Sequence, residues 1–275
     1  MTLRRAGLCV ACGAAAPAGT TAWWNPSART VTCTACATEL AASSEPATPA
    51  PATDQQPTGV AGASARREGT KRREQRAATV RALHPKIGGF LLAVTDEPQH
   101  IKAWDQGADG EEHVGRILDR LAADNQIRVL HDRLKPGSRT ANIDHIAVTP
   151  TGTVIVDAKN YKGRVEQRPS GSLFRPGPMK LFVNGRDRSV HVEKLIEQID
   201  AVTRVVGGDT GGIPVTGILC FTQADFSLLA RPFDFGPVTV HWPRSMRKAL
   251  VAAGPVDVTE LDEIRGHLAA VLRVA

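Results

Sequence analysis

The sequence has few aromatic residues and no long hydrophobic run. Aromatic side chains make up 4% of the 275 residues, and the longest apolar stretch is the eight residues Ile87–Val94, two of which are Gly. A transmembrane helix needs about 20 apolar residues, so the sequence excludes a membrane-spanning protein. The composition likewise excludes a collagen, a coiled coil and a fully disordered chain.

The length and the local composition predict several segments. At roughly 150 residues per domain, the chain has room for about two domains. Residues 41–64 are rich in Ala, Pro, Thr and Gln and contain no large apolar side chain beyond Val60, which predicts a disordered linker. We therefore expect a module at 1–40, this linker, a basic helix with a helical lead-in at 65–106, an α/β domain at 107–252 and a C-terminal helix at 253–275.

The net charge of +6 is concentrated in one stretch. Residues 65–81 contain seven basic and two acidic side chains, a local charge of +5. Such an arm suits a phosphate backbone, although a solvated helix with ion pairs between neighbouring turns is the alternative. The candidates for nucleic-acid contact are Arg66, Arg67, Lys71, Arg72, Arg73 and Arg76.

Four of the five cysteines form two Cys-x-x-Cys pairs. Cys9 and Cys12 are separated from Cys33 and Cys36 by 20 intervening residues. This spacing predicts a structural zinc site with four thiolate ligands, in a module that resembles a zinc ribbon. A segment of about 40 residues needs such a metal because its hydrophobic core is too small to fold alone. Disulfide or redox chemistry is the alternative.

The other features of this module are less specific. Trp23 and Trp24 are predicted to fill its core, with stacking on nucleic-acid bases as the alternative. The module could also dock a protein partner. Cysteines kept as metal ligands point to a reducing, cytoplasmic location. The fifth cysteine, Cys220, lies in an apolar segment and is predicted to be a buried core thiol.

Hydrophobic periodicity from residue 107 onward predicts an α/β fold. Upstream of it, Pro98 opens a separate short helix that ends at Trp104. Apolar residues at positions 114, 117, 118 and 121 then share one face of a new helix. The order of predicted elements is helix, three strands, helix, strand, with a smaller antiparallel extension after the third strand, which indicates a mixed sheet covered by helices. The main predicted elements are the strands Ile127–His131, Ile143–Thr149, Thr153–Ala158 and Val215–Phe221, and the helix Val190–Val206.

Polar residues interrupt the apolar strands at one end of the predicted hairpin. Asp157 and Lys159 are two residues apart, so their side chains point to the same face of the third strand. Because the hairpin is antiparallel, Asp144 at the start of the second strand lies beside Asp157. Glu111 falls in the first turn of the preceding helix, where Glu112 competes for the same role.

This arrangement of carboxylates and a lysine indicates a metal site. Buried acids are costly unless they are paired or bind a metal, and two or three carboxylates suit magnesium or manganese. The lysine could orient and deprotonate water, or stabilise developing negative charge. An ion-pair network at the strand edge is the alternative.

Three segments together resemble the nuclease-related domain (NERD) family of the PD-(D/E)xK restriction-endonuclease-like superfamily. The segments are GADGEEHVGRIL, NIDHIAVTPTGTVIVDAKNYKG and HVEKLIEQIDAV, and the resemblance covers about residues 84–250. The proline of the superfamily name is Ile143 here. The resemblance implies a restriction-endonuclease-like core and metal-dependent phosphodiester hydrolysis, with DNA as the expected substrate. It also implies the metal ligands Glu111, Asp144 and Asp157, the catalytic lysine Lys159 and a contributing Gln198.

Two other functions stay open from the sequence. A non-catalytic adaptor would bind nucleic acid through the zinc ribbon and the basic arm, and its binding would be sensitive to salt. A protein-interaction module would use the ribbon to dock a partner and the α/β domain as a scaffold.

Overall fold

A computed structural model describes most of the chain as two compact units, Met1–Gln55 and Gln56–Ala275. The described residues are 2–3, 6–12, 14–25, 30–36, 57–172, 175–206, 212–226 and 230–275. Residues 41–56 of the predicted linker lie outside them. None of the helices in these ranges combines the length and the hydropathy that crossing a bilayer requires.

The first unit contains two small antiparallel hairpins. Strand β1 (Gly7–Leu8) pairs with β2 (Ala15–Ala16), and β3 (Ala22–Asn25) pairs with β4 (Thr30–Cys33). Side chains alternate across a strand, so Ala22 faces the small core while Trp23 points outward and is 69% exposed. The prediction that Trp23 fills the core is therefore wrong, and the side chain of Trp24 lies outside the described residues.

The second unit is an α/β domain. A helical lead-in precedes the sheet, a further helix lies between its strands, and two helices close the chain. The helices are α1 (Ala63–Leu83), α2 (Gly88–Val94), α3 (Gln99–Ala123), α4 (Val190–Val206), α5 (Pro243–Leu250) and α6 (Val258–Val271). The strands are β5 (Arg128–Leu134), β6 (Asn142–Thr149), β7 (Gly152–Ser172), β8 (Arg175–Val183), β9 (Arg186–Asp187), β10 (Val215–Asp225), β11 (Phe233–Phe235) and β12 (Val238–His241).

The sheet is mixed, which confirms the predicted fold class. Its order is β11-β12-β10-β7-β6-β5, and β8 and β9 extend it from β7. Strand β10 runs parallel to β7 and β12, whereas the other neighbours are antiparallel. A parallel neighbour requires a crossover connection, and α4 supplies it between β7 and β10.

Both faces of the sheet are covered by helices. One core contains Leu195 of α4, Leu268 of α6 and strand residues such as Ile155. The other contains Leu118 of α3, Met246 of α5 and strand residues such as Val156. Because neighbouring residues of β7 serve opposite cores, its stretch Val154–Val156 is apolar on both faces. The strand continues to Ser172, and polar residues follow from Asp157 onward.

The end of the predicted linker is ordered, which corrects its boundary. The backbone N–H of His131 donates to the carbonyl of Thr58 at 2.7 Å, and Arg133 donates to the carbonyl of Pro57. Strand β5 is at the edge of the sheet and has unpaired backbone groups, which this segment satisfies. Helix α1 then begins at Ala63, so residues 57–64 are not a disordered linker.

The structure joins two helices that the sequence kept apart. Instead of a short helix ending at Trp104 and a second helix after Gly107, α3 is one helix of 25 residues. It contains Gly107 and Gly110, each of which costs about 1 kcal/mol of helix propensity relative to alanine. Packing of α3 against α1 and β7 outweighs this local preference.

Candidate active site

The β6–β7 hairpin brings Asp144 and Asp157 together. The paired residues run from Thr149 and Gly152 to His145 and Val156, and the two aspartates lie one residue further along each strand. Burial raises the pKa of Asp144 well above its usual value, and the negative charges of Glu111 and Asp157 raise it further. The side chain of Asp157 is thus close enough to that of Asp144 to raise its pKa. The hairpin therefore brings acidic side chains together at a place where water solvates their negative charge only in part.

Lys159 neutralises part of this charge. Its ammonium group forms an ion pair with Asp157, and the two side chains are only 21% and 13% exposed. Burial acts to lower the pKa of Lys159, but the carboxyl groups of Asp157, Asp144 and Glu111 outweigh it and raise the pKa above its ordinary value. The lysine is thus held as a cation at neutral pH.

Glu111 completes the group because α3 passes close to β7 at Asn160. A Cβ atom on Gly110 would lie 3.0 Å from the Cβ of Asn160, and the Asn160 side chain donates to the carbonyl of Gln106 at 2.7 Å. Burial raises the pKa of Glu111 to about 7, with a contribution from Asp157 that Lys159 opposes. We call Glu111, Asp144, Asp157 and Lys159 the carboxylate–lysine cluster.

The structure also distinguishes Glu111 from Glu112, the other candidate for the third carboxylate. Glu112 accepts a hydrogen bond from the Nε of Arg66 at 2.7 Å and is thereby engaged with α1. Glu111 instead interacts electrostatically with Asp157 and Lys159. Of the two glutamates, only Glu111 is part of the carboxylate–lysine cluster.

The three carboxylates fit a hard divalent cation by their chemistry. The oxygen atoms of the three carboxylates do not all lie within 4.8 Å of one another. Within the described ranges, only a group of cysteines, described below, brings three or more ligand atoms that close together. Magnesium keeps several of its waters and takes one or two carboxylates directly. The neighbouring carboxylates of Asp144 and Asp157 meet that requirement, with Glu111 interacting with both. A cation there would relieve the repulsion that raises the pKa of Asp144.

Gln198 lies beside the cluster and contacts backbone. Its Nε2 donates to the carbonyl of Asn142 at 3.3 Å, two residues before Asp144. Its Oε1 is buried and has no hydrogen-bond partner among the described residues. The structure therefore places Gln198 where it supports the start of β6.

Sequence reasoning missed His191. His191 lies at the start of α4, and its Nε2 is 3.1 Å from the hydroxyl of Tyr161 on β7. Burial lowers the pKa of His191 to about 4, and the positive charge of Lys159 lowers it further, so the ring is neutral at pH 7. The resemblance segment HVEK contains this histidine, but nothing in the sequence shows that α4 brings it to Tyr161 of β7, two residues after Lys159.

Asp132 is a second missed residue. Its backbone has a φ of 50°, and it lies opposite Asp144 between the pairs formed by His131 and Arg133. Its carboxylate accepts hydrogen bonds from the backbone N–H of Ser64 and from the Nδ2 of Asn142, both at 2.9 Å. Asp132 thus ties the start of α1 to the start of β6. No sequence pattern marks it.

His145 stays apart from the carboxylates. It follows Asp144 directly and therefore points to the opposite face of β6. Its Nδ1 lies 2.8 Å from the Nδ1 of His131, whose Nε2 lies 2.9 Å from Asp119. Burial lowers the pKa of both histidines. This buried chain packs behind the strands.

The basic residues of α1 divide between two faces of the helix. Arg66 bonds to Asp109 at 2.6 Å and to Glu112, and Arg73 bonds to Glu97 at 2.6 Å. These ion pairs hold α1 against α3 and its lead-in. The two arginines are therefore already engaged within the protein.

The remaining basic residues are arranged differently. Arg76 donates to Thr95 at 2.9 Å, and Arg72 pairs with Glu68. Arg67 and Lys71 point to another side of α1, where they line a cavity that also contains Glu111. The structure thus connects only part of the basic helix with the carboxylate–lysine cluster.

The four cysteines of the first unit converge on one point. The Sγ atoms of Cys9, Cys12, Cys33 and Cys36, the cysteine quartet, all lie within 4.8 Å of one another. Cys12 and Cys33 are 3.8 Å apart, which matches a tetrahedron with Zn–S bonds of about 2.3 Å. Backbone hydrogen bonds, chiefly from Cys33, lower the pKa of Cys9 to about 6. The quartet fits a zinc ion, and none of its thiols is in a disulfide.

Comparison with known proteins gives one match. Residues 106–222 match the family model described as the nuclease-related domain, NERD. Neither a curated protein nor a solved structure matches the chain. The matched segment runs from α3 to β10 and contains Glu111, Asp144, Asp157, Lys159 and Gln198. It excludes the cysteine quartet and α1.

Proposed function

Residues 106–222 form a nuclease-related domain of the restriction-endonuclease-like type, and from this premise we propose that the protein hydrolyses phosphodiester bonds in DNA with magnesium or manganese. The observation that carries the proposal is the convergence of Glu111, Asp144 and Asp157 on Lys159 at the end of one hairpin. Three carboxylates and one ammonium group at a strand end suit metal-assisted hydrolysis.

The residues have distinct roles in this proposal. Asp144 and Asp157 would hold the cation, with Glu111 as the third carboxylate. A bound cation supplies charge stabilisation at the phosphate and lowers the pKa of water. Because the pKa of Lys159 is raised, its ammonium group stays protonated and stabilises negative charge on the scissile phosphate. Gln198 positions the start of β6, and with it Asp144.

The first unit and the basic helix have supporting roles. The cysteine quartet would hold a structural zinc ion, and the module that it closes is available to nucleic acid or to a protein partner. On α1, Arg67 and Lys71 are the best candidates for phosphate contact, because they line the cavity that also contains Glu111. Arg66 and Arg73 are instead held in ion pairs with α3 and its lead-in.

Cleavage assays with an Asp157→Ala variant test the proposal. The wild-type protein is expected to cut labelled circular or linear DNA with magnesium or manganese and to stop in EDTA. Asp157→Ala should lower the rate at least about a hundredfold, because it removes a cation ligand and the partner of Lys159. The matched control is Asp200→Asn, an exposed residue of α4. Circular dichroism would establish that both variants fold.

Two results would contradict the proposal. One is full activity in folded Asp157→Ala protein. The other is the absence of metal-dependent cleavage of DNA by the wild-type protein. If salt-sensitive nucleic-acid binding remained without cleavage, the non-catalytic adaptor would be the better description.

A further inference from the structure

A groove leads along the basic helix to the carboxylate–lysine cluster. It has a volume of about 470 Å³ and lies between α1, the first half of α3 and the segment that precedes β6. Glu111 lines it together with Asn142, two residues before Asp144. We call this cavity the α1 groove. Its entire α1 wall lies outside the segment that matches the nuclease-related domain.

The groove presents positive charge on one side of α1. Lys71 is exposed and forms no ion pair with any described residue. Arg67 lies one helical turn away, about 6 Å along the axis. Its guanidinium group contacts Asp132 at 3.4 Å and donates to the oxygen of Ala275 at 2.8 Å, but its side chain is 58% exposed and open to the groove. Glu68 also lines the groove, but Arg72 neutralises it at 2.7 Å. Two cations one turn apart can contact neighbouring phosphates of one strand.

The opposite wall carries a tryptophan. Trp104 is 36% exposed, and the guanidinium group of Arg72 lies 5.3 Å from its ring centre. Helix α1 packs closely here, since a Cβ on Gly69 would be in van der Waals contact with the Cβ of Trp104, at 3.4 Å. The groove thus offers flat aromatic and guanidinium surfaces beside its cations. Nucleic-acid bases stack on such surfaces.

We propose that the α1 groove binds a single-stranded polynucleotide and directs it to the carboxylate–lysine cluster. The inference rests on the proposed function for its catalytic end. Phosphates would contact Arg67 and Lys71, and a base would stack at Trp104. A single strand exposes its base faces, whereas a duplex hides them in its stack and presents only phosphates and groove edges. A groove lined by cationic side chains and an aromatic ring therefore favours a single strand.

Binding measurements on the full chain in buffer without magnesium or manganese test the groove without cleavage and leave the zinc of the cysteine quartet in place. The probes are labelled oligo-dT, oligo-U and a DNA duplex of the same length, followed by fluorescence anisotropy at several salt concentrations. Oligo-dT or oligo-U should bind at least about tenfold more tightly than the duplex. The affinities for oligo-dT and oligo-U then show whether the groove prefers DNA or RNA, which have the same phosphate backbone chemistry.

Two variants with matched controls locate the contact. Lys71→Ala should weaken single-strand binding at least about threefold. It should also reduce the slope of log affinity against log salt concentration by about 0.7, which corresponds to the loss of one phosphate contact. Lys86→Ala, which removes another exposed lysine, should leave both unchanged. Trp104→Leu keeps an apolar side chain but removes the stacking surface, and it should weaken binding at least about fivefold. Phe90→Leu is its control, because Phe90 is 67% exposed on α2.

The outcomes separate this inference from the proposed function. If the wild-type protein cleaves nucleic acid but Lys71→Ala and Trp104→Leu bind like their controls, the groove inference is overturned and the nuclease stands. The groove inference is also overturned if the duplex and the single strands bind equally tightly and Trp104→Leu does not change the affinity. If the variants weaken single-strand binding but no cleavage occurs, the groove stands and the proposed nuclease fails.

Discussion

At the scale of single residues, Asp132 shows how buried polar groups position the candidate site. A left-handed backbone costs a non-glycine residue about 1–2 kcal/mol. Asp132 keeps this conformation because its carboxylate binds Ser64 and Asn142, at the starts of α1 and β6. The residue thus links the basic helix with the strand that carries Asp144. Strain at Asp132 is offset by contacts that bring two parts of the site together.

Another buried residue, His241, is expected to make stability depend on pH. It is 5% exposed, and burial lowers its pKa to about 4. The unfolded chain therefore binds more protons than the folded one between about pH 6.5 and 4, and stability is lost as the pH falls through this window. Relative to a variant without the histidine, we expect a loss of about 2 kcal/mol between pH 7.5 and 5.

Urea unfolding of the wild-type protein and of His241→Asn at both pH values measures this effect. Asparagine can keep a hydrogen bond to Ser245, which His241 contacts at 3.0 Å through Nδ1. The other buried histidines contribute equally to both proteins and cancel in the comparison. The same pH dependence in the two proteins would contradict the assignment.

At the scale of elements, the close approach of α3 to β7 positions Glu111. Gly110 faces Asn160 across this contact, and the amide of Asn160 anchors the backbone of α3 at Gln106. Glu111 follows Gly110 directly. A small change in this helix–strand distance therefore moves the carboxylate relative to Asp157 and Lys159 more than it disturbs the cores.

We predict that Gly110→Ala lowers the cleavage rate about tenfold to a hundredfold with little loss of melting temperature. The added Cβ would lie 3.0 Å from Asn160 and displace the helix by a few tenths of an ångström. Small misplacements of catalytic groups have effects of this size. Gly107→Ala is the control, because a Cβ there meets nothing within 4 Å.

The control makes the comparison specific. Gly107→Ala should keep full activity and stabilise the protein by up to about 1 kcal/mol through helix propensity. Steady-state rates and thermal unfolding of both variants measure the two effects. Equal activity of Gly110→Ala and Gly107→Ala would show that the helix–strand distance does not position Glu111.

At the scale of the whole molecule, the two compact units are stabilised by different means. The second unit has apolar cores on both faces of its sheet. Among its described residues, the first has a core of three buried apolar side chains and the cysteine quartet. Small modules of this kind depend on their metal for stability, whereas a domain with two cores does not. Loss of zinc is therefore expected to affect only the first unit.

Zinc analysis of the purified protein tests this difference. Wild-type protein and Cys220→Ala should each contain about one zinc ion, whereas Cys33→Ser should lose it. Cys220 is the control because it lies in the sheet of the second unit, outside the quartet. The region before residue 37 of Cys33→Ser should become sensitive to proteases while residues 57–275 stay protected. Full zinc content in Cys33→Ser would contradict the assignment.

Part of the site was determined by the sequence because it depends on local geometry. Alternation along a strand places Asp157 and Lys159 on one side, and a short antiparallel hairpin brings Asp144 next to them. The spacing of the cysteines likewise brought four thiols together. Helical periodicity located α4 and the second part of α3, which carry Gln198 and Glu111. These features follow from residues close in the chain.

Other features were decided only by the tertiary structure. The choice of Glu111 over Glu112 depends on Arg66, which is 46 residues away from Glu112. The division of the basic helix between ion pairs and the α1 groove depends on how α1 packs on α3, and periodicity does not give that orientation. The order of residues 57–64 arises because the edge of β5 offers backbone hydrogen bonds. Each depends on contacts between distant segments, which no local pattern encodes.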